Sequence, residues 1–258
     1  MEIFDWAYQI LASDELEDKL FSPEKLEDTK IQKPYLFKEP ARKPHMQFQK
    51  RKSHEKLPSI HDLKTSDNRA ICLHRFCGHE LLAVEIMAYV LLAFPDASPS
   101  FRKGVAKTLK EEQGHVRLYS TRMKELGLNF GDLPSYRHFW SHVPYIKSPS
   151  HYLSVMCLTF EMANLDFAPR YQKAFLQAED LESSKVMQQI VKDEISHVSF
   201  GYGMLKKLHP ESPDLWEVYK SSLSPLLTPK RARGVEFQLE PRKKARIPDN
   251  WIANLQNT

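Results

Sequence analysis

The chain has 258 residues, a formal net charge of +4, 41% hydrophobic and 27% charged residues, a balance that excludes wholesale disorder. Eight glycines disfavour a turn-rich all-β or Gly-loop α/β architecture, and so mild a charge does not by itself imply a nucleic-acid partner. Three cysteines, Cys72, Cys77 and Cys157, cannot make a disulfide framework; the Cys72-x4-Cys77 spacing matches no common zinc or redox motif, so both read as small buried hydrophobes in a reducing, cytoplasmic setting.

No apolar run approaches the roughly 20 residues of a membrane helix, which predicts no membrane association. "MEIFDWAYQIL" has acids near its start and no basic region, unlike a signal peptide. Residues 1–12 predict a short amphipathic helix, and "SPEKLED" at 22–28 a second, with Ser22 as N-cap and Pro23 at the first helical position. Residues 33–60, rich in Pro and Lys without periodicity, predict an extended arm.

The pattern then changes to four long helical segments. The first runs from near Ser66 to Phe94 and is stopped by Pro95. The second begins at Ser98-Pro99 and ends at Leu126, with Gly127 after it as a C-terminal cap. The third starts at Ser148-Pro149 and runs to about Gln177. The fourth runs from Asp180 or Leu181 to Leu208, before Pro210. Helices of roughly 27 to 30 residues each span about 40 Å. The expected fold is all-α: a four-helix bundle over 63–209, with N-terminal helices and arm over 1–62. A C-terminal extension over 210–258 packs on the bundle, with helices near Leu215–Leu223 and in "PDNWIANLQ".

Two of these helices carry polar residues where a core stripe requires apolar ones. In the second, Val105, Leu109, Val116, Tyr119 and Met123 share a stripe with Glu112 and His115. In the fourth, Met187, Ile190, Gly201, Met204 and Leu208 share one with Glu194 and His197. At this Glu and His content about one Glu-x-x-His spacing is expected by chance, so the placement on two core stripes carries the weight. Residues at i and i+3 share a helix face, so each pair can hold a metal together. A dinuclear bundle site needs one further carboxylate from each remaining helix. The third helix offers Glu161, on a stripe with Leu158, Leu165 and Ala168; the first offers Glu80 and Glu85.

Geometry selects Glu80. It precedes Glu112 by 32 residues, as Glu161 precedes Glu194 by 33. From Glu80 to the interhelical turn is about 14 residues or 21 Å, and from the turn to Glu112 about 13 residues or 20 Å, whereas Glu85 would miss that level by roughly 6 Å. Glu80 also continues the stripe Phe76, Ala83, Met87, and Glu85 lies about 140° away from it. Four buried carboxylates without cations would be prohibitive, and two divalent metals with two imidazoles resolve that cost. The set is Glu80, Glu112, His115, Glu161, Glu194 and His197, whose oxygen and nitrogen donors suit two Fe ions or an Fe/Mn pair. Glu112 and Glu194 would bridge; Glu80 with His115 would complete one metal and Glu161 with His197 the other. Asp193 and Glu111, next to the motif glutamates, are candidates to orient the histidines.

At these residues the chain resembles the ferritin-like superfamily of carboxylate-bridged di-iron proteins. The stretches "HRFCGHELLAVEIMA", "FPDASPSFRKG", "EEQGHVRLYSTRM", "TFEMANLDFAPRY", "DEISHVSFG" and "RARGVEFQLEPRKKARIPDNWI" are similar to the bacterial domain of unknown function 455 family, over most of residues 60–255. The resemblance implies O2-dependent chemistry on an unknown small-molecule substrate, with electrons from an external donor. A distant relative in architecture is the di-iron hydroxylase of a tRNA adenosine side chain. No paired Cys-x-x-Cys motifs of rubredoxin type are present, which argues against a self-contained rubrerythrin-like peroxidase. Two alternatives stand beside the oxidoreductase: a ferritin-like iron storage or detoxification protein, and an RNA-linked role. The second rests on seven Lys or Arg between 230 and 246 and on the run Lys50, Arg51, Lys52.

Overall fold

The computed structural model describes residues 1–29, 32–50 and 56–258. It is all-α, with no strand among the described residues beyond two isolated bridges. The chain divides into two compact units, Met1–Val143 and Pro144–Thr258.

The first unit is built on a hairpin of α3 (Ser66–Ala93) and α4 (Pro99–Glu125), preceded by α1 (Ile3–Ala12) and α2 (Leu16–Leu20). Ser98 caps α4 by accepting from the Phe101 amide at 3.3 Å, with Pro99 behind it. Gly127 ends the helix at φ +85°, a left-handed conformation that costs glycine little. Ile3, Trp6, Ala7, Ile10 and Leu11 of α1 are buried, and α1 packs against α3. The arm lies close as well: the Tyr35 amide donates to Leu92 O at 3.0 Å and the Ala41 amide to Leu11 O at 2.9 Å. Of the expected basic run, Arg51 and Lys52 lie outside the described residues.

The expected helix at 22–28 is not there. The turn forms earlier, as α2, and residues 22–28 run without a helix. Their backbone groups find partners elsewhere. Trp6 Nε1 donates to Phe21 O at 2.8 Å, the Lys110 ammonium donates to Pro23 O, and Glu27 exchanges backbone bonds with Met1 and Ile3 at 2.9 and 2.8 Å. Asp28 pairs with Arg102 at 2.8 Å. Tertiary partners thus outbid the local helix signal.

The membrane expectation also needs amending. α3 holds a window of mean hydropathy 1.6, long and apolar enough to cross a membrane by length and composition, and 83% of that window is buried inside the protein. A helix covered on nearly every face is a core helix.

The second unit is built on a hairpin of α6 (Met162–Gln177) and α7 (Leu181–Leu208), entered through α5 (Pro149–Tyr152), which Ser148 caps. Between α5 and α6 the chain stays helical as expected, but Leu153–Glu161 widens into a π-helix whose nine residues are all buried. Thr159 Oγ1 donates to Ser154 O, five residues back, at 2.7 Å, and sits 3.0 Å from the Tyr219 hydroxyl. α7 runs close beside this segment at Gly201, where a Cβ would stand 2.3 Å from Cys157 Cβ. The C-terminal extension supplies α8 (Leu215–Ser221), a tight turn at Pro229–Ala232, α9 (Leu239–Lys244) and α10 (Asp249–Gln256). Asp166 of α6 anchors it, accepting from the Gly234 and Gln238 amides at 2.8 and 2.7 Å and from Arg242 at 2.6 and 2.9 Å.

Candidate metal centre

In the first unit, α3 brings Glu80 and α4 brings Glu112 and His115, and the three are 5%, 0% and 1% exposed. One ligand-type atom from each lies within 4.8 Å of the others. His115 Nδ1 stands 2.9 Å from Glu112 Oε2, as the shared face at i and i+3 requires. Gln113, the next residue along, instead donates to Lys19 O and Phe21 O at 2.7 and 3.0 Å, which fixes the rotation of α4 against the N-terminal segment.

Glu85, the alternative carboxylate on α3, is equally buried but has another use. Its Oε1 lies 3.1 Å from Lys19 Nζ, and its Oε2 lies 2.5 Å from Arg42 Nη2, with all three side chains at most 2% exposed. Arg42 also donates to Met46 O at 3.3 Å, so α2 and the arm are keyed to α3 through one carboxylate. Burial holds the Lys19 ammonium below its usual pKa despite the carboxylate beside it.

In the second unit, Glu161 closes the π segment, and α7 supplies Glu194 and His197; the three are 4%, 1% and 1% exposed. A Glu161 carboxylate oxygen lies within 4.8 Å of a ring nitrogen of His197. His197 Nδ1 is 3.6 Å from Glu194 Oε2, and Asn164 Nδ2 donates to Glu194 Oε1 at 2.8 Å. Asn164 escaped the sequence reading, although its place three residues after Glu161 was a usable signal. The π segment was missed too; such widened turns occur frequently at functional sites.

Each unit thus holds two buried carboxylates and an imidazole, donors that fit a divalent ion with oxygen and nitrogen preference. The nearest sulfurs do not compete. Burial pushes the Cys77 thiol up to about 12 and the Cys157 thiol well above its usual value, with Glu161 beside Cys157 adding to the shift. A protonated thiol is a poor metal ligand. All three cysteines are free and buried.

Of the two candidates for orienting the histidines, Asp193 accepts from Gln189 at 2.7 Å and Glu111 faces Lys107 at 3.5 Å. The basic stretch at 230–246 divides by use. Arg242 is fully buried on Asp166, Arg233 donates to Leu255 O and Gln256 O, and Lys230, Lys243, Lys244 and Arg246 are exposed.

Over 106 residues the chain is 26% identical to an uncharacterized protein of Haemophilus influenzae, a match covering 40% of this chain and 36% of that protein. The chain therefore spans well under half the length of this curated relative. No solved structure matches it. A match over nearly the whole chain, residues 4–253, is to the family described as Protein of unknown function (DUF455), and the chain belongs to that family.

Proposed function

We propose that Glu80, Glu112, His115, Glu161, Glu194 and His197 together hold two iron ions, or one iron and one manganese, in a ferritin-like di-iron protein that carries out an O2-dependent oxidation of a small molecule. The observation that supports this best is the convergence of Glu80, Glu112 and His115 within 4.8 Å in a buried setting, a composition that the second unit repeats in kind. Buried carboxylates brought together without a cation would carry a desolvation cost of several kcal/mol per ion. Bound as a pair, metals with accessible 2+ and 3+ states supply the electrons that reduce O2.

The residues have distinct tasks in this reading. Glu80, Glu112, Glu161 and Glu194 would supply the carboxylate ligands, and His115 and His197 the imidazoles, one Glu-x-x-His pair from each unit. Asn164, by donating to Glu194 Oε1, fixes the carboxylate plane and leaves Oε2 to the site. Burial of all six side chains, none more than 5% exposed, would keep bulk water away from the reacting groups. Asp193 and Glu111 remain candidates to hold the histidine tautomers.

Metal analysis after anaerobic Fe(II) loading tests the proposal, followed by O2 exposure monitored optically. The wild type is expected to hold about two ions per chain and to develop a near-ultraviolet band on oxidation. A Glu112→Ala, His197→Ala variant that folds and binds as much metal as wild type overturns it. Many ions per chain in a very large particle would instead identify iron storage.

A further inference from the structure

The turn Pro229–Ala232 packs against the π segment and α6, and it carries Arg231. The guanidinium carbon stands 5.0 Å from the ring centroid of Phe160 and 5.9 Å from that of Phe167. Phe160 directly precedes Glu161. Arg231 Nη1 is buried and has no hydrogen-bond partner, while the side chain as a whole is only half-buried and so reachable from solvent.

Its neighbours are differently placed. Arg242 is spent on Asp166 and on the carbonyls of Gln238, Met162 and Ala232; Arg233 binds two carbonyls at the chain's end; Arg170 faces Glu236 at 3.4 Å. Two phenyl faces attract the Arg231 cation but offer no acceptor in its plane. Burial lowers its pKa, yet a guanidinium does not give up its proton in proteins, so the charge remains. A buried donor left without an acceptor calls for an explanation, and one ordinary explanation is a ligand.

We infer that Arg231 anchors the oxyanion, carboxylate or phosphate, of the small-molecule substrate handled by the proposed metal centre. This rests on that reading of the site and adds the class of its substrate. An oxyanion entering beside Phe160 gives Nη1 the acceptor it lacks and matches the fork of the guanidinium. The two phenyl rings serve as walls that hold the guanidinium in place, on the segment that ends at Glu161. The exposed Lys230, Lys243, Lys244 and Arg246 offer no such walls, so the recognition is of a small anion and not of an extended phosphate chain.

Calorimetric titration of the metal-free full chain with hexanoate, inorganic phosphate and neutral hexanamide tests this. Hexanoate or phosphate is expected to bind where hexanamide does not, and whichever binds identifies the source of the oxyanion. Arg231→Gln is expected to weaken that binding by about tenfold or more, the ratio that one charge-assisted bond commands, with Arg231→Lys in between. Phenylglyoxal modification of wild-type Arg231, mapped by mass spectrometry, needs no variant and is expected to slow when the bound anion is present. If Arg231→Gln does not fold, that protection decides. Unchanged affinity in Arg231→Gln, no anion binding by wild type, or protection by an RNA oligonucleotide where both small anions fail overturns the inference. Metal content of Arg231→Gln is read separately. Two ions retained with anion binding unchanged sinks the role of Arg231 alone, whereas no metal in wild type sinks the metal centre whatever the anion does.

Discussion

Replacing Glu85 by Gln separates a buried carboxylate that holds the fold from one proposed to hold metal. The side chain keeps its volume and loses its charge, leaving Lys19 and Arg42 facing each other with at most 2% exposure. Removing one member of a buried ion cluster costs about 3–5 kcal/mol, because the remaining charge is uncompensated. Lys19 relieves part of this. Its pKa is already lowered by burial and is supported chiefly by Glu85, so it falls further in the variant and the amine is neutralised. The lower end, about 3 kcal/mol, is therefore expected, and with an m-value of about 2 kcal/mol/M in urea it moves the midpoint down by about 1.5 M.

The pH dependence follows the same reasoning. A folded pKa depressed below the unfolded value gives stability that is present above the unfolded pKa and lost as pH falls through the folded one. The deficit of Glu85→Gln is thus expected to shrink as pH rises from 7 towards 10. Metal content measured on the same preparation is expected to stay at the wild-type value, while Glu80→Gln keeps most of its stability and loses metal. A Glu85→Gln variant with an unshifted urea midpoint and no bound metal would refute the assignment and return Glu85 to the ligand set.

Three further outcomes are expected. Asp166→Ala removes the acceptor of the Gly234 and Gln238 amides and strands the fully buried Arg242; it should cost about 3–5 kcal/mol, and limited proteolysis should cut within 229–246 before the helical hairpin unfolds. Gly201→Ala forces a methyl against Cys157 Cβ at 2.3 Å and should cost about 1–3 kcal/mol in denaturant unfolding, whereas Gly203→Ala, with nothing within 4 Å of the new methyl, should stabilise by up to about 1 kcal/mol. His74 is buried, accepts from the Gly131 amide at 3.2 Å, and has its pKa lowered to about 4 by burial and by Arg75. Its contribution is therefore present above pH 6.5 and is lost as pH falls towards 4, up to about 3 kcal/mol. The wild-type urea midpoint should fall more over that interval than that of His74→Gln.

The long helices were legible because their ends are marked chemically. Ser98-Pro99 and Ser148-Pro149 cap and start, and Pro95, Gly127 and Pro210 stop, all within one or two residues of the observed bounds. Residues 22–28 carried an equally good local signal and were misread, since their backbone partners come from α1 and α4, far away in sequence. The π segment was invisible for a related reason: a buried apolar run reads the same whether its turns are regular or widened. Burial could not have chosen between Glu80 and Glu85 either, because α3 is covered on nearly every face. The level along the hairpin made the choice. The partners of Asp166, 68 to 76 residues away, have no local pattern to betray them.

The two buried ion pairs also share a position. Glu85 lies five residues after Glu80 on α3, and Asp166 lies five residues after Glu161 at the start of α6. Each binds an arginine from outside its hairpin: Arg42 from the N-terminal arm, Arg242 from the C-terminal extension. Five residues rotate an ideal helix by about 140°, so a helix that turns one acid towards the imidazole of its partner helix turns the other towards the extension. All four acids are buried, and what distinguishes them is the cation on offer. Where an always-charged guanidinium answers the carboxylate, the pair is complete and leaves no call for metal. Where an imidazole faces the carboxylate, as at Glu80 and Glu161, the neighbour carries a lone pair when neutral, and the divalent ion proposed above would serve both groups at once.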